Sequence, residues 1–332
     1  MTTNVSAPVD ASAGASRLLE RIGRTPLIEL PRFARGAARV LAKLEQFNPG
    51  GSVKDRIAKA MVEDAEARGA LGPGGTIVEA TSGNTGVALA MVAAVKGYRC
   101  VIVMPEGYGH VKARLMQALG TEVVRTPADA MMTGAVDHAR EIAAATPGAY
   151  VPDQFHNPVN PRTHFETTGP EIWRDTSGRV DAFVCATGTG GTLAGVARYL
   201  KEQKSSVRIV LADPMGSALY NYVKTGELKL EGSSITEGIG SSRVTANLKD
   251  TPIDDAVRVP DTECVPMVYR LLRRDGLFVG GSTGINVAAA VRVAREMGPG
   301  HTIVTLLCDR GSLYLGRLFN AQFLASKGLP TE

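Results

Sequence analysis

Short apolar runs alternate with amphipathic stretches along most of the chain. Leu27 to Leu30 and Ala38 to Leu44 read as strands. Asp55 to Arg68 places Ile57, Ala60, Met61 and Ala65 near the 3.6-residue period and reads as a helix, stopped by Gly72, Gly74 and Gly75. TIVEA, a helix from Thr85, CVIVMP, a helix through VKARLMQALG, EVVRTP, a helix from Thr133 and the run YVPDQF follow in turn. The second half repeats the habit with VDAFVCA, TLAGVARYLKE, VRIVLADP, helices near Cys264 to Arg274 and Asn286 to Met297, and TIVTLLCD. Such alternation predicts an α/β fold with a parallel sheet covered by helices. No fixed-period repeat accompanies it, which excludes a solenoid. The Gly- and Ser-rich stretch from Pro214 to Arg243 is the one long connection without a periodic pattern, and long connections in compact folds are often functional.

Composition narrows the function. A chain of 332 residues has room for about two domains or one large α/β unit. The net charge of +4 comes from 37 basic and 33 acidic residues without a long single-sign run, which speaks against nucleic acid as a partner. Arg270, Arg273 and Arg274 sit at helical spacing near a helix end and read as a solvated face. The four cysteines, Cys100, Cys185, Cys264 and Cys308, are far apart and never form Cys-x-x-Cys, the pattern of reduced buried thiols. Residues 1–14 read as a disordered tail without a secretory pattern, and no apolar run is long enough to span a membrane, so a cytoplasmic location is expected. The histidines His110, His138, His156, His164 and His301 include no metal-binding grouping; His156 and His164 read as loop or cap residues, and no metal is expected.

Three glycine-rich turns each follow an apparent strand and precede an apparent helix: Thr81 to Gly86 (TSGNTG), Gly188 to Thr192 (GTGGT) and Gly280 to Gly284 (GGSTG). Turns of this kind fall at the carboxyl ends of strands, where backbone N–H groups at a helix start suit phosphate or carboxylate. GTGGTLAG is not the dinucleotide fingerprint, because Leu193 stands where the last glycine is required, and no G-x-x-x-x-G-K-[ST] occurs. GGSTG also satisfies the G-x-S-x-G of an α/β-hydrolase with Ser282 as nucleophile. That reading fails on order, since no histidine follows Asp309.

The segments GRTPL, NPGGSVKDR, EATSGNTG, DQFHNPVN, GTGGT, TEGIG and GGSTGIN occur in an order that resembles the cysteine synthases and cystathionine β-synthases, over roughly residues 20 to 328. The resemblance implies two open twisted, mostly parallel sheets with helices on both faces, fold type II of the pyridoxal-phosphate enzymes, with the cofactor in the interdomain cleft. Residues 15–54 plus 158–328 would form the larger, cofactor-binding domain and residues 55–157 a smaller mobile one, in a homodimer.

On that resemblance Lys54 forms the Schiff base with pyridoxal 5′-phosphate and is the catalytic residue; an amine must lose its proton to do so, which desolvation promotes. Gly188, Thr189, Gly190, Gly191 and Thr192 would hold the cofactor phosphate. Asn84 would meet the 3′ oxygen of the ring, against the alternative that it caps its helix. Ser282 would meet the pyridine nitrogen, where a neutral hydroxyl makes a weaker electron sink and favours β-elimination over transamination. Thr81, Ser82, Gly83, Thr85 and Gln154 would take the substrate carboxylate, and Gly238, with Gly240, would permit closure over the intermediate. The implied reaction is β-replacement on O-acetylserine or a similar activated serine through an aminoacrylate intermediate, with sulfide as the small nucleophile giving L-cysteine. Cystathionine synthesis from serine and homocysteine, or a 2,3-diaminopropionate-type product from a nitrogen nucleophile, are the alternatives. Serine acetyltransferase is a partner the family can dock. The chain departs from the family at MPEGYGHVK, with Gly107, Tyr108, Gly109 and His110, and at Ser241, Ser242 and Arg243, where Arg243 could meet an anionic substrate.

Overall fold

The computed structural model describes residues 17–330. The tail expected over residues 1–14 lies outside them.

Among the described residues, nine strands form two sheets. β1 (Leu27–Glu29) and β2 (Arg39–Leu44) join β6 (Ala182–Ala186), β7 (Arg208–Pro214), β8 (Asp255–Val259) and β9 (Thr302–Leu307) in a six-stranded sheet of order β1-β2-β9-β6-β7-β8. Only the β1–β2 pair is antiparallel. β3 (Thr76–Ala80), β4 (Arg99–Pro105) and β5 (Glu122–Thr126) form a separate parallel sheet.

Strand residues divide by side-chain alternation between two apolar layers. In the larger sheet Val40, Ala42, Val184, Ala186, Val210 and Ala212 face the helices Asp261–Asp275 and Gly281–Met297. Leu41, Phe183, Cys185, Ile209 and Leu211 face the opposite layer, built mainly on the helix Gly191–Gln203. In the smaller sheet Ile77, Cys100, Ile102 and Met104 pack on the helices Lys54–Ala67, Asn84–Lys96 and His110–Ala118, while Val78, Ala80, Val101 and Val103 pack on Met131–Ala145. Both sheets are therefore covered on both faces, as apolar parallel strands require.

Most predicted elements stand within two or three residues of their expected ends, and the arginines 270, 273 and 274 are exposed as expected. YVPDQF is a correction: only Tyr150 bridges to Ile77, because Pro152 has no N–H to donate and Asp153 takes a left-handed φ of 46°. The third glycine turn is another correction. It follows a one-residue bridge at Val279 rather than a strand. The long connection from Pro214 carries a short helix, Leu219–Thr225, and β8 and the helical stretch from Val159 to Asp175 had no clear period to announce them. The four cysteines are free, three buried and Cys308 partly so.

Candidate functional site

The carboxyl ends of β3, β6 and β9 open on one cavity of about 560 Å³. Every predicted site residue except Gly191 lines it, so Lys54, the Thr81–Thr85 turn, Gln154, the GTGGT turn, Gly238 and Ser282 converge although they are scattered over 229 positions of sequence, from 54 to 282. Lys54 is the first residue of the helix Lys54–Ala67, and its Nζ has no hydrogen bond or ion pair among the described residues. The turn before it is shaped by Asp55, which is buried and accepts a hydrogen bond from the Gly50 N–H. Burial raises the Asp55 carboxyl to about 7.

The GTGGT turn opens the helix Gly191–Gln203, whose first backbone amides have no partner inside the helix. Its glycines are required by close approach. A Cβ on Gly188 would stand 2.3 Å from the Gly238 carbonyl oxygen, and one on Gly191 would stand 1.8 Å from Asn160 Oδ1. The TEGIG segment thus lies directly on GTGGT, and Gly240 N donates to Thr187 O at 2.8 Å.

The hydroxyls of this turn are held from behind. Asn160 Nδ2 donates to Thr189 Oγ1 at 3.1 Å and to Gln154 O at 2.8 Å, and Asn247 Nδ2 donates to the same Gln154 oxygen. Asn160 therefore ties the phosphate-type turn to the segment carrying Gln154. Thr85 Oγ1 donates to Gln154 Oε1 at 2.6 Å and fixes its side chain.

His164 is a correction to the expectation of a loop histidine. It is 1% exposed in a π-helical turn, His164–Thr168, with Nδ1 2.8 Å from Thr168 Oγ1 and Nε2 3.1 Å from Thr192 Oγ1. Burial first, then the charge of Arg56, lowers its pKa to about 3, so the ring is neutral. In the tautomer with hydrogen on Nε2, it donates to Thr192 and leaves the threonine hydrogen free to point into the cavity.

Asn84 does not cap its helix. Gly83 is the cap residue, and Asn84 Nδ2 instead donates to Asp309 Oδ2 at 2.6 Å. Ser282 is 6% exposed near the start of the helix Gly281–Met297 and shares a hydrogen bond with Cys308. No histidine lines the cavity, which leaves Ser282 without the base a hydrolase nucleophile needs. Arg243 is exposed and does not line the cavity; its wall instead carries Lys112, Glu237 and Arg317, with Glu237 bonded to Lys112 and to Arg317 at 3.0 Å each. Asn160 stands in the DQFHNPVN motif, which was its only signal in sequence. Glu237 likewise stands in TEGIG and Lys112 in MPEGYGHVK, whereas Asn247 and Asp309 had no motif signal and are brought to the site only by folding.

A family model described as pyridoxal-phosphate dependent enzyme matches residues 18–309. Cysteine synthase 1 of Emericella nidulans is 48% identical over 320 residues, 94% of this chain and 86% of that protein. The chain belongs to the pyridoxal-phosphate-dependent enzymes, in their cysteine synthase and cystathionine β-synthase branch. Among solved structures of this branch, an O-ureido-L-serine synthase is 41% identical with a TM-score of 0.86, covering 92% of this chain and 95% of that one. An O-acetylserine-dependent cystathionine β-synthase from Helicobacter pylori is 34% identical with a TM-score of 0.84, covering 90% and 97%. The α/β architecture with two mostly parallel sheets matches this fold type of the pyridoxal-phosphate-dependent enzymes.

The residues present fit pyridoxal phosphate. An unpaired amine, a glycine turn whose amides and hydroxyls are neutral donors, and the Asn84 side chain line one cavity among the described residues. No helix of the described residues is long and apolar enough to cross a membrane, and no group of His, Cys, Asp and Glu among them could hold a metal ion.

Proposed function

We propose that the protein replaces the β-substituent of an activated serine, O-acetylserine or a similar donor, with sulfide to give L-cysteine. The observation that carries this reading is the convergence of Lys54 with the three glycine turns on one cavity. Pyridoxal phosphate, when bound, supplies the electron sink that makes the substrate α-proton removable.

Lys54 would hold the cofactor covalently, and its amine, when free, would move the α-proton at Nζ. The amides of Gly188 to Thr192, with the Thr189 and Thr192 hydroxyls, bind the phosphate, and the helix dipole offsets its charge. Asn84 orients the ring through its 3′ oxygen, and Ser282 meets the ring nitrogen. Thr81, Ser82, Gly83 and Thr85, with Gln154, take the substrate carboxylate. The smaller unit, residues 55–157, closes against residues 15–54 plus 158–328, with Gly238 at the moving edge. The working form is a cytoplasmic homodimer able to dock serine acetyltransferase.

Homocysteine or a nitrogen nucleophile is the second reading. The cavity wall carries Lys112, Glu237 and Arg317, charges that sulfide does not require.

The test supplies the purified protein with O-acetylserine, O-phosphoserine or serine, each with sulfide, homocysteine or an amine, and identifies products by mass. Cysteine from O-acetylserine and sulfide is expected. Preferential formation of cystathionine or of a diamino acid would transfer the assignment to the second reading, and no turnover with any pair would contradict β-replacement.

A further inference from the structure

Asp309 follows β9 and is 1% exposed. Its main chain bridges to Ser52, two residues before Lys54, and its carboxylate packs so closely on Gly280 that a Cβ there would stand 2.2 Å from Oδ1. Oδ2 accepts two hydrogen bonds, from Asn84 Nδ2 at 2.6 Å and from the Tyr314 hydroxyl at 2.5 Å. The first joins residues 225 apart in sequence and links the smaller sheet's helix Asn84–Lys96 to the segment that follows β9, an interior strand of the larger sheet. Lys112 Nζ lies 4.4 Å from the centre of the Tyr314 ring and backs the cluster.

An asparagine amide has two ends that differ in chemistry and little in shape. Burial raises the Asp309 pKa, but the hydrogen bonds from Tyr314 and Asn84 and the charges of Lys112 and Lys54 favour its ionised form. An ionised carboxylate oxygen only accepts, so the end of Asn84 that meets it is the NH2, and Asp309 settles the orientation that a solvent-facing Asn84 would leave open. The second N–H of that NH2 is then fixed in direction, and Asn84 spends neither end on capping its helix.

We infer that Asp309 is a positioning residue, whose carboxylate holds the Asn84 amide so that its remaining N–H faces the 3′ oxygen of the cofactor. The inference rests on the pyridoxal-phosphate reading of the cavity. It assigns to Asp309 a task that no other buried carboxylate near the cavity performs: Asp55 shapes the Gly50 turn and Glu79 lies within β3.

The test uses the holoenzyme and two readouts, the absorbance of the Lys54-bound cofactor and the dissociation constant for pyridoxal phosphate measured by equilibrium dialysis. Asp309→Leu removes the acceptor at similar volume and is expected to shift the visible band and weaken cofactor binding roughly tenfold or more. Asp309→Asn keeps one acceptor oxygen and is expected to recover most of both. The decisive comparison is a double-mutant cycle. In an Asn84→Ala background, Asp309→Leu is expected to move the band no further, because its effect passes through the amide. If Asp309→Leu does not fold, Asp309→Ser takes its place in the cycle, since the short hydroxyl cannot reach Asn84.

An unchanged band and affinity in Asp309→Leu or Asp309→Ser, or an equal shift with and without Asn84, would overturn the inference while leaving the cofactor reading intact. A wild-type protein that forms no borohydride-stable adduct with pyridoxal phosphate would instead remove the reading on which it rests.

Discussion

At Gly191 the site leaves no space for even a methyl group, because Asn160 Oδ1 stands 1.8 Å from where a Cβ would be. That asparagine holds Thr189 and the Gln154 backbone at once. Gly191→Ala must displace it, which loosens both the phosphate turn and the carboxylate site. The expected outcome is cofactor binding weakened about tenfold with a loss of roughly 1–3 kcal/mol of stability, measured by equilibrium dialysis and thermal unfolding. Near-wild-type binding would contradict the role given to Asn160. Single residues were legible in the sequence where they stood in a dense motif. Lys54 in GGSVKDR and Thr189 in GTGGT needed only their neighbours, whereas His164 is defined by Thr192, 28 positions away, and by a π-helical turn that no period announces. Asp309 was visible only as a lone acid near the end of an apolar run.

Elements were read well where apolar periodicity and glycine stops agreed, as at β3, β4 and the helices that follow them. YVPDQF failed because its apolar content suggested a strand while Pro152 and the left-handed Asp153 prevent one. β8 was missed because DAVRV is short and half polar. β3 also carries a consequence for pH. Its Glu79 is 5% exposed, and burial, then the negative charge of Asp153, raises it to about 8; Asp55 is raised to about 7. The folded protein keeps these protons at pH values where the unfolded chain has lost them. Their stabilising contribution is therefore complete below the ordinary carboxylate range and is lost as pH rises from about 4 to 8. Glu79→Gln should flatten the upper part of that decline, raising stability at pH 8 relative to the parent by on the order of a few kcal/mol. Thermal unfolding between pH 5 and 8 checks it; parallel curves for the two proteins would contradict it.

Across the whole molecule, polar links bind the two sheet systems around the cavity. Beneath it, Arg56 on the Lys54 helix bonds Glu45 and Glu171 at 2.8 Å, and Lys43 joins Glu171 at 2.8 Å, all buried. Burial works against the Glu171 charge, but the hydrogen bonds and charge of Arg56, with Lys43, hold its pKa down to about 2. Removing one member of such a group strands a buried charge, so the network fixes the direction in which the Lys54 helix presents its first residue. On the cavity wall Glu237 joins Lys112 to Arg317, and Asn84 is linked to Asp309. The alternation of strands and helices announced the sheets, but these cross-links pair residues too distant in sequence for any local pattern to reveal.

All of these arrangements converge on the Nζ of Lys54. The most direct measurement is therefore borohydride reduction of the protein loaded with pyridoxal phosphate, followed by peptide mapping by mass. One cofactor-derived addition per chain on the peptide containing Lys54 is predicted, with Lys54→Ala folded but unlabelled. A label on another lysine, or none on a folded wild-type protein, would contradict the account.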